Sequence, residues 1–317
     1  MQRTSVDVDF IAPSKTSTDI EKIMQAVGNR LTALPDFQEQ VYSPKKPVMQ
    51  LPMQTRTITL PSVFGQMGKK TSQIKLDFLF TDFKPVVQLV PKTEPVALEV
   101  KNVKTVSFGT LVGDKLCTIA IGTIGIKKEE DLPKHLYDLE TLVFGIDKTT
   151  PESLSEAYES MKQIISFESK IRGKKYSFNE VIESIKTTMT KYSQIDLNEL
   201  NEEVKPAREN LEYFQQLYLP EKQRKPFYAW STKALKIKYL AELMKNIHDN
   251  YPHQKAFEKL VETKNWERKS QTLEGQELDS TKKELLETLK TITPLTRGLK
   301  ELREKPVARI YWQTKSR

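Results

Sequence analysis

Residues 3–11 read Arg3-Thr4-Ser5-Val6-Asp7-Val8-Asp9-Phe10-Ile11. From Val6 to Ile11 apolar and acidic residues alternate with period two, the pattern of a β-strand with one buried face. Val6, Val8 and Phe10 fall on one face. Asp7 and Asp9 fall on the other, with their carboxylates roughly 6–7 Å apart along the strand. Two carboxylates so spaced suit a hard divalent cation. A pair of such ions can flank a nucleotide's phosphates, activating an attacking oxygen and stabilising the leaving one. The same alternation also describes an ordinary solvent-facing edge strand, so metal binding needs a further acid on a neighbouring strand. Asp77, within Gln73–Phe80 (Gln-Ile-Lys-Leu-Asp-Phe-Leu-Phe), is the other acid embedded in a strongly apolar strand pattern and is the candidate third ligand.

Outward from this strand, the chain changes character near residue 150. Before it, Thr18–Leu34 has a helical stripe of Ile20, Ile23, Val27 and Leu31, and Arg56–Leu60 and Gln73–Phe80 read as strands. Pro85–Val100 holds one or two more strands, interrupted by Pro91 and Pro95. Asp114–Ile126 fits a helix or a strand equally well. Leu132–Val143 reads as a helix with Leu132, Leu136, Leu139 and Val143 on one face and Pro133 in its first turn.

After Thr150, whose Thr-Pro-Glu-Ser run is cap-like, the pattern predicts helices over Leu154–Ile171, Asn179–Tyr192, Leu197–Tyr218, Ser231–His248, His253–Lys264 and Ser280–Leu302. Val307–Trp312 reads as a short final strand or an apolar tail, and Pro220–Lys225 as a basic linker. The expectation is an α/β or α+β domain over residues 1–149 and a helical domain over residues 150–317.

Composition narrows the function classes. The chain has 317 residues, the length of about two domains. At 38% hydrophobic and 29% charged it can sustain a core and is no disordered chain. Lys plus Arg number 50 and Asp plus Glu 42, giving a net charge of +8. A polyanionic partner is compatible with that excess, which is spread thinly. The single Cys117 excludes a disulfide framework and a cysteine-based zinc cluster. His135, His248 and His253 are too scattered for a histidine-ligated metal. No stretch of roughly 18 apolar residues offers a membrane span, and Asp7 and Asp9 stand where a signal peptide needs an apolar core. These features predict a cytoplasmic protein with no membrane association. Neither G-x-G-x-x-G nor G-x-x-x-x-G-K-[ST] occurs.

A second polar cluster follows in Gly113-Asp114-Lys115-Leu116-Cys117-Thr118 and Leu132-Pro133-Lys134-His135-Leu136-Tyr137-Asp138-Leu139. A lysine beside an apolar segment can meet phosphate oxygens as a point charge, and Asp138 can orient it. An ordinary pair of amphipathic helices has the same pattern.

Taken in order, these motifs resemble the AbiEii/AbiGii-type nucleotidyltransferase toxins, a branch of the DNA polymerase beta-like nucleotidyltransferase superfamily. The family signature R-x-S-x-D-[IV]-D-[FL] is matched by Arg3, Ser5, Asp7, Val8, Asp9 and Phe10, and its later strand acid by Asp77. K-L-x-[AT] is matched by Lys115, Leu116 and Thr118, and [RK]-D-L-x-D-L by Lys134, Leu136, Asp138 and Leu139. His135 stands where the family has an Asp, and an Arg usual after the lysine helix has no match around Gly122–Ile126. The superfamily also carries a Gly-Gly or Gly-Ser turn ten or more residues before its first Asp. Only six residues precede Asp7. The resemblance therefore implies a turn encoded upstream of Met1, a turn supplied by a partner chain, or a truncated relative.

The resemblance implies an α+β fold, with a nucleotidyltransferase-like mixed-sheet domain followed by a helical one. It implies a metal-dependent enzyme that moves a nucleoside monophosphate from a nucleoside triphosphate to an acceptor hydroxyl, on RNA and often at a tRNA end, under control of a cognate antitoxin. In that reading Asp7, Asp9 and Asp77 hold two Mg2+ ions, Ser5 and Lys115 contact the nucleotide, and Asp138 supports the site. Two other readings stay open: a non-catalytic binding protein on the same scaffold, and a small-molecule nucleotidyltransferase with a different acceptor pocket. The basic helical half suits RNA by counterion release, and equally suits the solvated face of a helical bundle.

Overall fold

A computed structural model describes residues 7–13, 17–33, 38–42, 53–61, 71–81, 93–97, 102–292 and 301–316. The chain divides into two compact units, residues 1–91 and 92–317.

In the first unit, β1 (Asp7–Pro13) is followed by helix α1 (Ser17–Thr32), β2 (Gln38–Tyr42), β3 (Met53–Pro61) and β4 (Thr71–Thr81). The sheet order is β1-β4-β3-β2. β1 runs parallel to β4, whereas β4–β3 and β3–β2 are antiparallel, so the sheet is mixed. A parallel neighbour cannot be reached by a tight turn; α1, β2 and β3 lie between β1 and β4 in the chain. On β4, Leu76 and Phe78 are buried and Asp77 between them is half-buried, the alternation of a strand with one core face. Ile58 of β3 and Met24 of α1 join the buried set. β2, Gln-Glu-Gln-Val-Tyr, escapes a hydrophobicity reading because Val41 and Tyr42 are the only apolar residues in its sequence.

The second unit opens with a two-stranded antiparallel ribbon, β5 (Thr93–Ala97) and β6 (Asn102–Val106). Pro95 lies inside β5, which is tolerated where a strand edge is unpaired. Then come α2 (Phe108–Ile119), α3 (Leu132–Glu140), a π-helical turn at Thr141–Gly145, α4 (Pro151–Ile171) and α5 (Phe178–Tyr192). They are followed by α6 (Lys205–Tyr218), α7 (Phe227–His248), α8 (His253–Ser270), α9 (Gly275–Ile292) and α10 (Val307–Lys315). Thr150 with Ser153, and Ser177 with Glu180, form reciprocal caps on α4 and α5. One continuous core runs through these helices, from Leu116 of α2 through Leu136, Leu154, Ile182 and Trp230 to Trp312 of α10.

Gly109 and Gly113 bring α2 backbone-close to α4. A Cβ at Gly109 would stand 2.5 Å from the Ser153 carbonyl, and one at Gly113 would stand 2.5 Å from that of Ala157. No larger residue fits there without moving a helix.

Several expectations are corrected. Asp114–Ile126 is helix only as far as Ile119; a turn follows, with Gly122 at φ 90°. Leu197–Tyr218 becomes helical only at Lys205, where Pro206 occupies the first turn and lacks the N–H that an earlier start would need. Val307–Trp312 is the helix α10, not a strand. Pro306 precedes it, and Val307, Ile310 and Tyr311 are buried at helical spacing. Pro220–Lys225, read as a basic linker, does join α6 to α7; it contains a 3₁₀ turn at Glu221–Gln223, and Arg224 donates to the carbonyls of Gln215, Gln216 and Leu219 at the end of α6. The α9 helix spans Gly275–Ile292, and residues 293–300 of the expected helix lie outside the described residues. The molecule is a helix-rich α+β protein. Among the described residues no helix is long and apolar enough to cross a membrane.

Candidate functional site

In the first unit, the strand register gathers the acids. Asp9 of β1 lies directly opposite Asp77 of β4, and Asp77 lies opposite Thr55 of β3. Asp7 is two residues from Asp9 and pairs in register with Lys75, itself two residues from Asp77. By the period of two, positions 7, 9, 75 and 77 share one face of the sheet. The half-buried Asp77 carboxylate accepts a hydrogen bond from the Thr55 hydroxyl at 2.5 Å. That contact ties the acid to the strand on its far side. Ser5 lies outside the described residues. Among the described residues no group of three or more His, Cys, Asp and Glu side chains is placed to hold a metal. Carboxylate oxygens at positions 7, 9 and 77 are the donor type that hard divalent cations take.

In the second unit, Lys115 and Asp138 meet. The Lys115 ammonium is 3.6 Å from the Asp138 carboxylate, and both side chains are about one-fifth exposed (20% and 19%). Lys115 leaves α2 one residue after the exposed Asp114. Its neighbours Leu116 and Cys117 are buried, so the helix turns its apolar side inward and leaves Lys115 at the core's rim. Burial, followed by Asp114 and Glu168, pushes the Cys117 thiol well above its ordinary pKa, which removes it as a nucleophile. Lys134 lies one helical turn before Asp138 on α3 and is half-buried, as is His135.

Two features escaped the sequence reading. Arg172, at the end of α4, inserts its guanidinium into the turn after α2. It donates to the carbonyls of Thr123 at 3.0 Å, Ile124 at 2.5 Å and Gly125 at 3.1 Å, and pairs with Glu168 at 2.8 Å. A guanidinium therefore does sit at the turn where none is encoded locally, supplied from about fifty residues downstream. No local motif could reveal it.

The second feature is a buried charge network around Glu140. Its carboxylate pairs with Lys233 and, at 3.0 Å, with Lys236, and Lys236 in turn reaches Glu267 at 2.8 Å. Burial pushes the Glu140 carboxyl up, but Lys236 and Lys233 outweigh it and hold the pKa below the ordinary carboxylate value. Burial lowers the Lys236 pKa, yet Glu140 and Glu267 raise it overall. The sequence signal was present as Lys233 and Lys236 one helical turn apart within the apolar α7.

With these geometries in place, one comparison is decisive. The model of the family described as nucleotidyl transferase AbiEii toxin, type IV toxin–antitoxin system, matches residues 1–217. The chain belongs to the AbiEii family. No curated protein sequence matches it. The AbiEii match takes in the whole sheet and the helices through nearly all of α6; α7 to α10 lie beyond it. Membership makes this chain a nucleotidyltransferase toxin by family and implies a nucleoside triphosphate substrate and a cognate antitoxin.

Proposed function

We propose that this chain transfers a nucleoside monophosphate from a nucleoside triphosphate to a hydroxyl of an RNA acceptor, a tRNA end in the first instance, using Asp7, Asp9, Asp77, Lys115 and Asp138. The observation that carries the reading is the register of Asp9 against Asp77 in a chain that belongs to the AbiEii family. The acceptor oxygen attacks the α-phosphorus, the bond to the bridging oxygen breaks, and pyrophosphate leaves. We assign Asp7, Asp9 and Asp77 the binding of Mg2+, two ions in the family reading. Bound there, the ions would supply charge neutralisation at the phosphate oxygens.

The Thr55 hydroxyl fixes Asp77 so that its charge is presented without rearrangement. Lys115 is assigned to the triphosphate, its ammonium held ready by Asp138, and Ser5 to a phosphate contact. Chemistry is assigned to residues 1–149, and RNA binding to the helical residues 150–317. We assign the reaction to the cytoplasm, where nucleoside triphosphates and tRNA meet, in a cell that encodes the antitoxin.

The test incubates the purified chain with magnesium, each labelled nucleoside triphosphate in turn, and total tRNA. Label on RNA is expected from the parent chain and lost in Asp9→Asn, which keeps the side chain's size while removing one charge. Label persisting at full rate in Asp9→Asn would overturn the assigned site.

A further inference from the structure

A small cavity lies beside α8, remote in sequence from the acids and from Lys115. It has a volume of about 190 Å³, and its lining includes Phe257, Leu260, Asn265, Lys264, Arg268 and Asp147. Leu260 is fully buried and Phe257 partly so, giving an apolar floor. Lys264 is 8% exposed, and its ammonium donates to the Val143 carbonyl at 3.2 Å and to Asp147 at 3.1 Å. Arg268 donates through Nη2 to both Asp147 oxygens at 2.9 Å.

Asp147 differs from its two partners. Its side chain is 68% exposed and comes from the short segment between the π-helical turn and Thr150, where Ile146 and Lys148 are exposed too. A buried lysine therefore takes its counter-charge from a carboxylate that enters from the solvent side. The hydrogen bonds from Lys264 and Arg268 hold that carboxylate below its ordinary pKa, so it is charged at neutral pH. Carboxylates this exposed bind their partners weakly, and an arriving oxyanion would meet the same donors: one ammonium and one guanidinium nitrogen, set over an apolar floor.

We propose that this cavity is a binding site for a small oxyanion-bearing ligand, a carboxylate or phosphate ester, and that Asp147 occupies the anion position in its absence. A site of this volume accommodates a single anionic group with a short apolar body. Asp147 acts as an internal competitor, so the measured affinity is the intrinsic one reduced by the fraction of molecules in which the position is open. The proposal does not rest on the nucleotidyl-transfer reading, because neither Lys264 nor Asp147 is among the residues assigned there to the metal ions or the triphosphate.

The full chain is titrated calorimetrically with inorganic phosphate and, separately, with sodium butyrate. Removing the competitor in Asp147→Ala should tighten at least one of them about tenfold relative to the parent, if the open fraction is about one in ten. A gain for phosphate alone identifies a phosphate ester as the ligand class, and a gain for butyrate alone identifies a carboxylate. Adding Lys264→Met or Arg268→Ala to Asp147→Ala should abolish that gain. Arg268 is 58% exposed, so its replacement keeps the test valid should the buried lysine prove necessary for folding. Equal affinities for parent and Asp147→Ala with both probes, absence of binding to both chains, or a gain that survives Arg268→Ala would overturn the proposal.

Discussion

Asp138 and Glu140 are two residues apart on α3, and their surroundings differ in nearly every respect. Residues two apart on a helix point roughly 200° from each other. Asp138 therefore faces the rim, where it meets one ammonium at 3.6 Å with about a fifth of each side chain in contact with solvent. Glu140 faces the core, where two ammonium groups surround it and a second carboxylate completes the network. The contrast separates two uses of charge. A buried network gains little from its ions that apolar packing could not supply, but it is costly to break because the remaining charge cannot reach water. A rim pair at 3.6 Å contributes little to folding, and its ammonium can exchange a carboxylate for a phosphate.

The largest effect expected from breaking this contrast is Glu140→Ala. It strands Lys233 and shifts the whole of Lys236 onto Glu267, at a cost of about 3–5 kcal/mol, measured as a lowered denaturation midpoint in urea. A pH series sharpens the same point. The Glu140 pKa is depressed in the folded chain, so its contribution is complete above the ordinary value of 4.5 and lost as pH falls through the lower folded value. The Lys236 pKa is raised, so its contribution is complete below the ordinary 10.5 and lost as pH rises through the higher folded value. Urea midpoints should therefore form a plateau between those limits, and Glu140→Gln should flatten the acid side of the profile.

An intermediate effect is expected from Gly113→Ala. The new methyl would stand 2.5 Å from the Ala157 carbonyl and 2.9 Å from Ser160 Cβ, and overpacking of this kind costs about 1–3 kcal/mol. It should also reduce transfer, because α2 carries Lys115. The smallest stability effect belongs to Asp138→Asn, under about 1 kcal/mol by thermal or urea unfolding.

The reading of the sequence located β1, β3, β4, α1 and most helices because each has a strong period of two or 3.6 over its length. It missed where that signal is weak or shared. Val307–Trp312 is too short and too uniformly apolar to separate helix from strand, and only its burial pattern resolves it. β2 is a polar edge strand with little pattern to read. The π-helical turn at Thr141–Gly145 continues the α3 apolar stripe, so nothing in the composition marks it. Within the candidate site, Asp7, Asp9 and Asp77 could be named from alternation, whereas Thr55 could not, because its partnership is set by cross-strand register. Arg172 and Glu140 depend on tertiary neighbours about 50 and about 95 residues away, distances at which local pattern carries no information.

The rim pair is assigned to transfer and the buried network to folding. The direct test measures both quantities on one variant, Lys115→Ala: labelled-nucleotide transfer to tRNA in magnesium, and unfolding free energy in urea. Transfer should fall about a hundredfold or more with stability within about 1 kcal/mol of the parent. Transfer retained at the parental rate, or lost only in proportion to a large drop in stability, would overturn that division of roles.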